Sequence, residues 1–167
     1  VKILDIWKSQ NHPKDVEFFN CDIRDRSSVK KAMEGVDIVH NNVALVPLTK
    51  SGKLFWDVNV NGSKIAAEEA LKAGVSGFIH MSSSAIYGDV NKFPIDNNTK
   101  TKPIEIYGNA KLAGEIAVIE TLKNQDISKI IIRPRTILGE GRLGIFQILF
   151  DWIRDNKNVY VVGSGDV

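Results

Sequence analysis

Apolar positions along the chain fall into two rhythms. Short runs rich in β-branched and aromatic residues recur at 1–5, 16–19, 37–40, 77–80, 129–132 and 159–162, each reading as a strand. Between most of them lie longer stretches with apolar residues three or four apart, the period of a helix. The spacing predicts a helix over 28–34, with Ser27 as its cap and Gly35 as its stop, and one over 55–73 ending at Gly74. A third begins near Ile106 and carries Leu112, Ile116 and Ile119 on one stripe; a fourth runs over 145–155. Strands alternating with helices call for parallel strands and right-handed crossovers, an α/β, doubly wound, mostly parallel sheet of Rossmann-like type. In such sheets ligands bind beyond the carboxyl ends of the strands.

Composition narrows the function classes. At 167 residues the chain is about one domain long, and 43% hydrophobic with 25% charged residues is the balance of a globular protein. A net charge of +2 offers no broad basic surface, so nucleic acid is not an expected partner. No apolar run approaches the roughly twenty residues of a membrane span, and no membrane partner is expected. The lone Cys21 fits a reducing compartment and the cytoplasm is the expected location. No His, Cys and carboxylate cluster has metal-ligand spacing, so no metal is expected.

Two patterns carry chemistry. The strand at 77–80 runs into Met81-Ser82-Ser83-Ser84-Ala85-Ile86-Tyr87-Gly88, a hydroxyl cluster at a carboxyl end, where an ordinary serine-rich turn is the alternative. Tyr107-Gly108-Asn109-Ala110-Lys111 places a phenol and an ammonium four residues apart, on one face of a helix. A free phenol titrates near about 10, too high for a base at neutrality, and an adjacent cation favours the phenolate. Lys111 would therefore tune Tyr107 toward acid–base work. A rival motif, Gly139-Glu140-Gly141-Arg142-Leu143-Gly144, has the G-x-G-x-x-G form, with Asp166 after the next strand. Its context is poor, because Pro134 interrupts the preceding strand and bulky Ile145 and Phe146 open the helix that follows.

In order and spacing these motifs resemble the extended branch of the short-chain dehydrogenase/reductase superfamily, the NAD-dependent epimerase/dehydratase family, from Val1 to Val167. The likeness rests on Leu4-Asp5, Cys21-Asp22-Ile23-Arg24-Asp25, Asn59-Val60-Asn61-Gly62, the serine cluster, Tyr107 to Lys111, and Arg133-Pro134 followed by Gly139. The resemblance implies a catalytic trio of Ser83, Tyr107 and Lys111, with Ser83 four residues before Tyr87. It implies NAD as cofactor, with Asp5 accepting from the adenosine ribose hydroxyls and repelling a 2′-phosphate. Asp22 and Ile23 would meet the adenine; Val43, Ala44, Asn59, Tyr107, Lys111 and Pro134 would complete the cofactor site, Asn59 also supporting Lys111. Asn41 stands at the family's usual histidine position, and His40 is read as a packed strand residue. Trp7, Trp56 and Trp152 are read as core or interface.

The implied function is NAD-dependent epimerisation of a nucleotide sugar by transient hydride transfer. An alcohol or hydroxysteroid-like dehydrogenase is the enzymatic alternative, and a non-catalytic nucleotide-binding scaffold the alternative of another class. Ser84-Ala85 cannot supply the acid pair of a 4,6-dehydratase. The family's G-x-x-G-x-x-G phosphate loop and first strand would lie ahead of Val1, so the chain reads as an internal portion of a longer enzyme. On this reading 1–167 is a partial dinucleotide-binding domain, with the substrate-binding region starting near 139. Strand edges left open would pair with another copy, giving a homo-oligomer, or rearrange.

Overall fold

The computed structural model describes residues 1–46, 52–91, 93–139 and 145–159. They form two units, Val1–Arg135 and Thr136–Val167. The first contains β1 (Lys2–Asp5), β2 (Glu17–Asn20), α1 (Arg26–Met33), β3 (Ile38–Asn41), α2 (Lys53–Trp56), a π-helical turn (Asp57–Gly62), α3 (Ser63–Ala73), β4 (Gly77–Met81), a 3-10 turn (Ser84–Tyr87), α4 (Ile106–Thr121) and β5 (Ser128–Ile132). The described part of the second holds α5 (Ile145–Arg154), where Phe146 and Phe150 lie 6.4 Å apart, ring centre to ring centre. The strand read at 159–162 and the motif from Gly139 to Gly144 extend outside the described residues.

Every strand pairing is parallel: β1 with β2, and β3-β4-β5 in that order. The chain is thus an α/β protein of Rossmann-like type. Among the described residues β1 and β3 do not pair. Asn41 lies level with His80 and Met81 with Ile132, so the carboxyl ends of β3, β4 and β5 open on one edge.

Local physics corrects three sequence expectations. The cap of α1 is Asp25, not Ser27: its carboxylate accepts from the backbone N–H groups of Ser27 at 3.1 Å and Ser28 at 3.5 Å, and from both hydroxyls. A carboxylate satisfies more orphan donors than a hydroxyl can. The helix read over 55–73 is not continuous α-helix. It widens into the π turn at Asp57-Val58-Asn59-Val60-Asn61-Gly62, a run of β-branched residues, asparagines and glycine that resists tight helix, before α3 ends at Gly74 (φ 71°).

The third correction concerns α4, which buries Gly108, Ala110, Lys111, Gly114, Glu115 and Val118 and leaves Ile116 and Ile119 exposed. Close backbone approach decides this: a side chain at Gly114 would run into the Asn59 carbonyl of the π turn. The helix therefore presents its small-residue face inward, and Lys111 and Glu115 go with it. Beneath lies a core built from Phe78 of β4, Ala66, Ala67 and Ala70 of α3, Val29 and Met33 of α1, and Val118 and Leu122. Burying each larger member contributes about 2 kcal/mol. Trp7 and Trp56 stand at the surface of the first unit, Trp152 in the second unit is exposed, and His40 is exposed rather than packed.

Candidate active site

β4 runs one residue past the end of β3. Ser82 N–H donates to the Ile132 carbonyl at 2.7 Å and Ser84 N–H to the Pro134 carbonyl at 2.8 Å, so these residues turn toward β5. Met81, just before them, lies one residue beyond the end of the β3 register. The Lys111 ammonium donates to its carbonyl at 2.5 Å. Two residues on, Ser83 is buried, 8% exposed, and caps the 3-10 turn by accepting from the Ala85 N–H at 3.2 Å. Gly108 sits where an added Cβ would lie 2.6 Å from the Ala85 carbonyl. The first turns of α4 thus touch the chain on either side of Ser83: Lys111 at Met81, and Tyr107's neighbour Gly108 at Ala85. Tyr107, half-buried, directly precedes Gly108 and stands one turn before Lys111 on the same helix. The structure sets Lys111 against the chain two residues before Ser83, with Tyr107 one turn before Lys111 on α4.

Lys111 is only 2% exposed, and burial pushes its ammonium down to about 8, against a weaker upward pull from Glu115. Glu115, one turn farther on, is itself buried. Arg133 pairs with both of its oxygens, through Nε at 3.0 Å and through Nη2, and donates from Nη1 to the Tyr87 hydroxyl at 2.8 Å. Glu115 foremost, and Tyr87 after it, holds the guanidinium well above its ordinary range. This bridge ties α4 to the far end of the serine turn. Sequence reasoning missed it; the signal was a glutamate four residues after Lys111, in the middle of an inward helix face.

The residues read for the cofactor lie on strand ends and loops. Asp5 ends β1 and accepts from the Trp7 N–H at 3.0 Å through Oδ1, while Oδ2 has no partner among the described residues. That exposed oxygen is what a ribose hydroxyl would require. Asp22 is held by Arg24, at 2.9 Å to Nε and 2.6 Å to Nη2, and this pairing pulls its carboxyl below the usual range. Ile23 is buried against Gly62. Val43 and Ala44 follow β3 half-buried, the Val43 N–H on Asn41 Oδ1 at 3.3 Å. The Asn59 side-chain amide accepts from the Leu45 N–H at 2.9 Å and donates to the Leu45 carbonyl at 3.2 Å, clamping the loop that contains Val43 and Ala44. Pro134 follows β5, half-buried. Among the described residues no group of His, Cys and carboxylates is arranged to hold a metal, and no helix is long and apolar enough to cross a membrane.

Known proteins place the chain in a family. The profile of the NAD dependent epimerase/dehydratase family matches residues 4–167. The chain is 43% identical to the uncharacterized protein y4nG of Sinorhizobium fredii over 93% of its own length and 39% of that protein's. It is 28% identical to the mouse sterol-4-alpha-carboxylate 3-dehydrogenase, decarboxylating, over 99% of its length and 47% of the relative's. It is 32% identical to the N-acetyl-alpha-D-glucosaminyl-diphospho-ditrans,octacis-undecaprenol 4-epimerase of Escherichia coli O157:H7, over 99% of its length and 50% of the relative's. The crystal structure of Thermotoga maritima UDP-glucose 4-epimerase with UDP-glucose superposes with a TM-score of 0.85 at 22% identity, covering 99% of this chain and 58% of that one. The chain therefore spans half or less of the length of these curated relatives. It belongs to the NAD dependent epimerase/dehydratase family, whose members are enzymes that use NAD.

Proposed function

We propose that the enzyme containing this chain is an epimerase that inverts a hydroxyl-bearing ring carbon of a nucleotide sugar, in the cytoplasm, with Ser83, Tyr107 and Lys111 as its catalytic residues. The observation that carries this reading is the contact of α4 with both flanks of Ser83, through Lys111 on Met81 and Gly108 on Ala85. The residues present fit NAD in part: Asp5 has a free carboxylate oxygen for the adenosine ribose, Asp22 and Ile23 would border the adenine, Val43, Ala44 and Pro134 would line the middle, and Lys111 would stand at the nicotinamide end. NAD, when bound, supplies a reversible hydride acceptor. The rest of the chemistry is a proton transfer on the substrate hydroxyl.

Tyr107 removes that proton as phenolate and returns it as phenol. Ser83 donates a hydrogen bond to the same oxygen, holding it beside Tyr107 while the carbon passes through a ketone. The buried Lys111 ammonium, with the Met81 carbonyl as its one hydrogen-bond partner among the described residues, leaves its charge available to favour the phenolate. Because burial lowers Lys111 to about 8, the cation is present at neutrality but held at a cost. A dehydrogenase acting on a hydroxysteroid-like alcohol uses the same proton transfer, and the likeness to the sterol dehydrogenase favours it as second reading.

The test is turnover of the full-length enzyme with NAD and a panel of UDP- and dTDP-sugars. An epimer formed without net NADH supports the first reading, and stoichiometric NADH with a ketone product overturns it for the second. Turnover that survives Tyr107→Phe contradicts the acid–base role that both readings share, and NAD binding without turnover of any substrate leaves a nucleotide-binding scaffold.

A further inference from the structure

The turn that follows Ser83 is weakly held by its own backbone. The Ile86 N–H meets the Ser83 carbonyl, and the Gly88 N–H the Ala85 carbonyl, at 3.4 Å each, long for such bonds. Beside it the sheet ladder is running out. Met81 is level with Ile132, and the Ser82 N–H on the Ile132 carbonyl carries the register one step further, to Ser82 beside Arg133. In a parallel ladder the next rung would run from the N–H of residue 134 back to the Ser82 carbonyl. Pro134 has no N–H to give.

Arg133 stands beside that missing rung. Ile131, two residues earlier, packs against the core, and alternate residues of a strand share a face, so the Arg133 side chain leaves the sheet on its packed side. There Nε, at 3.0 Å, and Nη2 hold the carboxylate of Glu115, which α4 buries to 2% exposure. The third arm, Nη1, donates to the Tyr87 hydroxyl at 2.8 Å, and Tyr87 is the last residue of the turn. A guanidinium is a rigid planar fork, so two bonds to Glu115 dictate where Nη1 points. Matching the buried charge of Glu115 requires only the first two arms. The third links the turn to α4, one helical turn beyond Lys111.

We propose that Glu115, Arg133 and Tyr87 form a brace that sets the spacing between the Ser83 turn and α4. All three are positioning residues that act on Ser83 from behind and touch no substrate. Only the effect of the brace on turnover rests on the function proposed above; the brace itself is tested without substrate.

The test is Tyr87→Phe in the full-length enzyme, which deletes one oxygen and keeps both the ring and the Arg133–Glu115 pair. Hydrogen exchange without ligand is read at the Ser84 amide, bonded to the Pro134 carbonyl, and the Ala85 amide, bonded to Ser83 Oγ. Both are expected to exchange about tenfold faster than in the parent while the β4 amides of Phe78 to His80 keep their rates. A merely structural role would speed strand and turn together. With a sugar that the enzyme turns over, kcat is expected to fall about tenfold and KM to stay within about twofold, because a misplaced serine is felt most in the transition state. Should Tyr87→Phe fail to fold, Arg133→Lys, whose single ammonium cannot reproduce the fork, is read the same way. Turn amides that exchange as in the parent, strand and turn amides that speed up together, or an unchanged kcat overturn the brace. If no sugar is turned over by the parent, it is the epimerase reading that fails, and the exchange rates alone decide the brace.

Discussion

Two buried charges in this molecule are treated in opposite ways. Glu69 on α3 lies buried, with Arg26 of α1 at 2.6 Å and Lys72 one turn along at 2.7 Å, and those cations, Lys72 first, hold its carboxyl below its usual range. Lys111 on α4 is as deeply buried, yet its hydrogen bond is to one carbonyl, and burial drives it down to about 8. The first charge is matched and fastens two helices together. The second is left short of partners, which lowers stability and keeps its field available at the strand end that holds Ser83. Strongly shifted groups converging in one place mark chemistry more often than scaffolding.

The comparison breaks most visibly if Tyr107 does nothing. Tyr107→Phe removes the one acid–base group and is expected to lower turnover of the full-length enzyme by about 10²- to 10⁴-fold, with the fold retained by circular dichroism. Lys111→Met sharpens the contrast next, because loss of the ammonium should abolish most activity while raising stability at neutral pH. The sign follows from the shift: a lysine lowered from its ordinary 10.5 to about 8 makes the folded state the poorer proton binder, so stability rises with pH across that window. Relieving this is worth at most about 3 kcal/mol, measured by urea denaturation.

How much of this was legible in the sequence depends on the distance over which the relevant physics acts. Strand positions, the alternation and the Tyr107–Lys111 spacing are local, and from them the fold class and the shared face of Tyr107 and Lys111 on α4 could be read. The Asp25 cap could have been read locally as well, since an aspartate stands three residues before Ser28. The inward turn of α4 could not, because it depends on Gly114 meeting a carbonyl in a π turn more than fifty residues earlier. Nor could the choice between His40 and His80: both end short apolar strands, but only His80 finds Asn41 alongside it on the neighbouring strand, with Lys111 beneath. The Asn59 clamp on Leu45 was out of reach for a similar reason, the loop after β3 being invisible to any helix pattern.

His80 offers a third measurement. With its ring lowered from 6.5 to about 4, the unfolded chain takes up the proton first as pH falls, so stability is lost between those values, by about 3 kcal/mol at the acid end. Equilibrium unfolding from neutrality to acid should show that slope in the parent and lose it in His80→Gln. The smallest effect belongs to the matched charge. Glu69→Gln should cost only about 1 kcal/mol, because Arg26 and Lys72 are largely solvated, and leave turnover unchanged. A large loss of activity there would erase the distinction between the two buried charges.

The most direct test of the central claim is a crystal structure of the full-length enzyme with NAD and a bound nucleotide sugar. Ser83 Oγ and Tyr107 Oη should both lie within about 2.6–3.2 Å of one substrate oxygen, with the Lys111 ammonium close behind Tyr107. A substrate whose reacting hydroxyl is met by other side chains, with Ser83 and Tyr107 facing different atoms, would contradict the account.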